Sequence, residues 1–155
     1  MNKLLIKNVQ ALVADGSVQT VDIAIENEKI IKIGQISENW QADEIINGQY
    51  KFAIPGFVNA HTHAAMTLLR SYADDMNLMD WLQHKIWPIE AKMSDEDIYW
   101  GTMLAIAEMV KSGTTTFADM YASMEEVAAA VEETGIRAVL SRGMIGVAKK
   151  KKKAL

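Results

Sequence analysis

The chain of 155 residues contains no cysteine. That excludes disulfide staples, a thiolate metal site and a cysteine nucleophile, and it fits a reducing, cytoplasmic setting. No run approaches the roughly 18 consecutive apolar residues of a membrane-spanning helix, so none is expected, and no membrane partner with it. The first residues are broken by Lys3, Lys7, Asn8 and Gln10, unlike the apolar core of a secretory leader. A basic face is missing too. Five of the 16 lysines and arginines fall in the run 149–153; without them 11 basic residues stand against 20 acidic ones, a balance of −9. So acidic a body argues against nucleic acid as a partner. Histidine is scarce, with only His61, His63 and His84.

Half of the residues are hydrophobic and 23% charged, the composition of a globular protein. Residues 4–13 and 21–33 are rich in Val, Ile and Leu, with the turn Asp15-Gly16-Ser17 between them. Val21, Ile23 and Ile25 alternate with Asp22, Ala24 and Glu26, which predicts a strand with one buried face. Glu26-Asn27-Glu28 reads as a hairpin turn. In residues 43–52, Asn47-Gly48 is a strong hairpin signal. Residues 1–52 are therefore expected to form a small antiparallel sheet.

A different rhythm follows. In residues 54–66 (IPGFVNAHTHAAM), Pro55-Gly56 marks a turn, and Phe57 and Val58 open a short strand expected to be buried. Side chains alternate on a strand, so His61 and His63 share one face while Thr62 takes the other. Two imidazoles so placed can grip a divalent metal; taken alone, such a pair is more often two hydrogen-bonded, inert residues at a strand end. Residues 64–69 read as the start of a helix or an irregular loop. Leu78, Met79, Leu82, Ile86 and Ile89 have near-helical spacing that Pro88 ends or restarts. Ser94 is an N-cap, with Asp95, Glu96 and Asp97 in the first turn, of a helix predicted over 95–111. Its stripe of Trp100, Met103, Leu104, Ala107 and Val110 is expected in the core, and Gly113 is its C-cap. Residues 114–120 form a β-branched strand. Ser123 with Glu126 predicts a capping box opening a helix that reaches Thr134 and is closed by Gly135. Residues 136–144 make a third strand. This alternation indicates βαβ units and a parallel sheet, with Asp119 and Arg142 near strand ends. His84, Asp74 and Asp75 read as exposed polar positions. On their own, Glu90 reads as a helix-start acid and Arg142 as a surface charge.

The stretch 54–66, followed by residues 67–80 (TLLRSYADDMNLMD), Trp81-Leu82 and Ile86-Trp87-Pro88-Ile89-Glu90, resembles the amidohydrolase superfamily. It is most similar to the branch of 5-methylthioadenosine/S-adenosylhomocysteine deaminases and their relatives acting on guanine, cytosine or chlorotriazines. The resemblance covers residues 3–147. It implies an α/β fold: the N-terminal part of a metal-dependent hydrolase (β/α)8 TIM barrel, about three of its strands, preceded by part of a small β-sandwich domain. The boundaries are then 1–52 for the accessory domain, 53–147 for the first βα units and 148–155 for a lysine-rich tail outside the native fold, expected to stem from a translated adenine tract. The resemblance further implies that His61 and His63 hold zinc, or iron, and that Glu90 and Arg142 bind a purine nucleoside. The reaction would be hydrolytic deamination, with guanine, cytosine or a triazine as the alternative substrate. The later metal ligands and the acid/base carboxylate lie on later strands of that family. The chain therefore carries no catalytic residue of its own and is expected to be inactive alone, or to be a non-catalytic product that self-associates through an open barrel edge.

Overall fold

A computed structural model describes residues 2–143, so the lysine run and Met144 lie outside the described residues. The chain divides into two compact units between Pro55 and Gly56.

The first unit is built on β1 (Lys3–Leu12). β2 (Val18–Glu26) runs antiparallel along one edge of β1, and β3 (Lys29–Gly34) runs antiparallel to β2. The turns between them are those expected: Gly16 has φ 82° and Asn27 φ 56°, backbone that glycine and asparagine adopt at little cost. β4 (Glu44–Asn47) and β5 (Phe52–Ala53), however, both run parallel to β1, so the expected antiparallel sheet is a mixed one. Asn47-Gly48 makes no hairpin. The amide of Gln49 donates to Asn47 Oδ1 at 3.0 Å and that of Lys51 to the Gly48 carbonyl at 2.9 Å, so the chain turns tightly and steps from β4 to β5 along the same neighbour. The glycine answers to space rather than to a positive φ: a Cβ there would lie 2.6 Å from Val9 Cβ and 2.8 Å from the Lys7 carbonyl oxygen.

The second unit holds three parallel strands in sequence order: β6 (Phe57–Thr62), β7 (Thr114–Tyr121) and β8 (Arg137–Arg142). Between β6 and β7 come a 3₁₀ helix (Ala64–Leu69), α1 (Leu78–Trp81), a π turn (Leu82–Ile86), α2 (Trp87–Glu90) and α3 (Asp95–Lys111). Pro88 stands in the first turn of α2, where its missing amide breaks no hydrogen bond, so the helix restarts there as expected. α4 (Met124–Thr134) links β7 to β8.

α3 occupies the predicted span. Ser94 and Asp97 form a reciprocal capping box, and Gly113, just beyond the C-cap Ser112, has φ 86°. Its buried face differs from the expected one. Ile98, Thr102, Ala105, Ile106 and Met109 face inward, while Trp100, Leu104 and Val110 are exposed. The helix is apolar on two sides, and the Ala64–Leu69 helix takes the side with the smaller residues, which allow close approach. Gly101 shows how close: a Cβ there would meet the Ala65 carbonyl oxygen at 2.5 Å. At α4 the predicted capping box does not form, because Ser123 adopts left-handed backbone (φ 45°) and its side chain caps nothing. Gly135 closes the helix at φ 70° as expected. The core gathers around Phe117 of β7, fully buried with Ile106, Met109, Ala130 and Ala64. β6 was expected to be buried, but Phe57 and Val58 are 56% and 66% exposed. The packing centres on β7, the middle strand, and leaves the outer strand open.

Candidate metal and substrate site

Register brings the carboxyl ends of the three parallel strands together: Thr62 pairs with Asp119, and Tyr121 with Arg142. In (β/α)8 barrels, such strand ends carry the chemistry. His61 lies on β6 and His63 immediately after it, at the entry to the 3₁₀ helix. Their rings stand edge to face with centroids 5.0 Å apart, so the alternation read from the sequence does bring the two imidazoles together. His63 Nδ1 lies 2.6 Å from the Met120 carbonyl oxygen. A carbonyl only accepts, so Nδ1 is the donor, and it is Nε2 that carries the lone pair in the neutral ring.

Asp119 lies behind the pair, 2% exposed. Its Oδ1 accepts from the amides of Ala64 (3.1 Å) and Met120 (3.0 Å), while Oδ2 is buried without a partner among the described residues. Burial pushes its carboxyl above the ordinary carboxylate range, opposed by those two amides and by the nearby imidazoles of His63 and His61. Two positions on, Tyr121 shares this face of β7. Its ring centroid is 6.3 Å from that of His63, and its hydroxyl donates to Glu90 Oε1 at 2.6 Å. Burial, and then the Glu90 hydrogen bond, raise the Tyr121 phenol far above its usual range, so it stays a donor. The structure thus joins Glu90, distant in sequence, to the histidines through Tyr121. Sequence reasoning missed Tyr121. The signal was present, since residues 119 and 121 must share a strand face, but an aromatic at a strand end reads as packing.

Arg142 stands at the end of β8, exposed and ion-paired with Glu125 in the first turn of α4; it touches none of the histidines. His84 is also apart, an exposed residue 3.8 Å from Asp80 one helical turn earlier. Asp74 and Asp75 are exposed.

The chemistry of this donor set fits zinc in part. Two adjacent imidazoles, one with its outer nitrogen held by a carbonyl, are the neutral nitrogen ligands zinc takes. No cluster of three or more metal-binding side chains exists among the described residues.

Parallel βα units with a His-x-His at the first strand's end are the pattern of the amidohydrolase class. The Amidohydrolase family pattern matches residues 52–155, and the chain belongs to that family. It is 60% identical over 144 residues to a 5-methylthioadenosine/S-adenosylhomocysteine deaminase of Pelotomaculum thermopropionicum, covering 91% of this chain and 33% of that protein. A deaminase of the same name from Desulforamulus reducens is 54% identical over 161 residues, covering all of this chain and 37% of that protein. Among solved structures, an adenosine deaminase from Xanthomonas campestris with bound zinc superimposes with a TM-score of 0.82 at 35% identity, over 89% of this chain and 33% of that one. The chain thus spans about a third of the length of the relatives it matches. Its fold is α/β, the N-terminal part of such a hydrolase. No helix among the described residues is long and apolar enough to cross a membrane.

Proposed function

We propose that this chain is the opening third of a zinc-dependent aminohydrolase that deaminates 5-methylthioadenosine, S-adenosylhomocysteine or a related adenosine compound. The observation that carries the reading is the continuous line His61, His63, Tyr121, Glu90 across the carboxyl ends of β6 and β7. It gives metal-binding and sugar-binding side chains one common surface, in a chain 60% identical to a protein named as such a deaminase. His61 and His63 would hold the metal through free ring nitrogens. When bound, zinc supplies the Lewis acidity that lets water act as a nucleophile at neutral pH. Glu90 offers a carboxylate whose two oxygens can accept from the vicinal hydroxyls of a ribose. Tyr121 occupies one of them and so sets the tilt of the other. Arg142 would approach the outer end of the substrate, once drawn from Glu125 by a competing anionic group.

A catalytic zinc site takes about three protein ligands and an open position. With two suitable histidines, the isolated chain is inactive in this reading. It resides in the cytoplasm, and its open sheet edges drive it to self-associate. The test is ammonia release from 5-methylthioadenosine, S-adenosylhomocysteine, guanine and cytosine in the presence of zinc. It compares the 155-residue chain alone with residues 1–143 joined to the remaining two thirds of the Pelotomaculum thermopropionicum deaminase. The chain alone is expected to show no turnover, and the chimera to act on the adenosine compounds until His61→Ala or His63→Ala abolishes it. Turnover by the chain alone would refute its inactivity; a chimera acting on guanine or cytosine instead would refute the substrate.

A further inference from the structure

We propose that Asp119 is the positioning residue of the histidine pair, holding His63 in the tautomer and orientation that metal binding requires. The inference rests on the reading of His61 and His63 as metal ligands. Asp119 and the residue after it grip His63 at two points. Asp119 Oδ1 accepts the amide of Ala64, the residue directly after His63, at 3.1 Å. The carbonyl of Met120 receives the His63 ring at Nδ1 at 2.6 Å. Oδ1 also accepts the amide of Met120 at 3.0 Å, closing a ring of contacts through Asp119, Ala64, His63 and Met120. Backbone and imidazole are therefore fixed together. The pairing of Thr62 with Asp119 sets the carboxylate beside the residue that separates the two histidines.

Packing alone does not account for a carboxylate here. Asp119 is 2% exposed and its Oδ2 has no partner among the described residues, an arrangement that costs stability compared with an apolar side chain of similar volume. An outer carboxylate that orders a metal-binding histidine has a use for that negative charge. His61 and His63 are the groups it faces, together with the Tyr121 hydroxyl, whose own bond goes to Glu90.

The test uses the 155-residue chain with isotope-labelled histidine. Long-range proton–nitrogen NMR reads the His63 tautomer, and zinc alone is titrated against the same signals. The unsubstituted chain is expected to hold the His63 proton on Nδ1. Asp119→Ala is expected to release His63 into a tautomer mixture and to weaken zinc binding by about 10- to 100-fold. Asp119→Asn keeps an acceptor oxygen for Ala64 and is expected to restore the Nδ1–H form and most of the affinity. If Asp119→Ala keeps its circular-dichroism spectrum, a single His63 tautomer and undiminished zinc affinity, Asp119 does not position the pair. Should that variant lose its fold, Asp119→Asn decides: a folded Asn variant with mixed tautomers overturns the proposal. If the unsubstituted chain binds no zinc, two histidines alone do not hold the metal, and the tautomer comparison by itself decides the role of Asp119.

Discussion

Tyr121 and Glu90 carry a hydrogen bond that couples a strand to a helix 31 residues away in sequence. The hydroxyl is half-buried and its acceptor is a carboxylate, so the bond is stronger than a neutral pair in water. Tyr121→Phe keeps the ring and removes only that bond. It is expected to cost about 1–2 kcal/mol in denaturant unfolding and, in the chimeric enzyme, to raise KM for the nucleoside more than it lowers kcat. Equal loss in both would mean that Glu90 does not meet the substrate. Residues of this kind resist reading from sequence, because the partner is set by tertiary placement rather than by spacing. His61 and His63 were legible for the opposite reason: strand alternation alone puts two residues one apart on a common face. Glu90 and Arg142 were named through family resemblance, and their neighbours Tyr121 and Glu125 emerged only with the fold.

Among the elements, α3 was the most legible and also the most instructive. Its ends follow local rules: Ser94 caps it, three acids fill its first turn, and Gly113 takes the left-handed position after it. Its buried face does not, since both sides are apolar and only the fit to the Ala64–Leu69 helix chooses between them. The same division appears in β4, where Asn47-Gly48 announced a turn correctly but not the direction of the strand after it. The cap itself gives a pH dependence. The amide and hydroxyl of Ser94 hold the Asp97 carboxyl below its ordinary value of 3.8. A carboxylate depressed in the folded state stabilises it above the unfolded value, and that contribution is lost as the pH falls through the folded one. Helical circular dichroism is therefore expected to decline as the pH drops below that range, and Asp97→Asn to lessen the decline, the depressed carboxyls of Glu108 and Glu125 supplying the rest. Ser94→Ala at neutral pH is expected to cost about 1 kcal/mol.

For the molecule as a whole, what matters is the surface left open. Val58 on β6 and Val139 on β8, the two outer strands of the three-stranded sheet, are each 66% exposed, and the second face of α3 adds Trp100 and Val110, 56% and 60% exposed. Outer strands with unpaired backbone and apolar side chains pair with other chains. Light scattering of the isolated chain is expected to show assemblies that grow with concentration, and Val139→Lys to reduce them. A monomer that melts cooperatively at every concentration would refute this.

The π turn at Leu82–Ile86 has a consequence for length. A π turn accommodates one residue more than the α-helical path it replaces while both flanks keep their phase. Ile86 faces inward at 2% exposure, whereas Gln83, His84 and Lys85 point to solvent. The surplus residue is thus stored on the outside, and one of those three can be deleted to leave an ordinary helix with Glu90 still aimed at Tyr121. A one-residue deletion between residues 82 and 86 is then tolerated, while the four residues after them are indexed to the strand they serve.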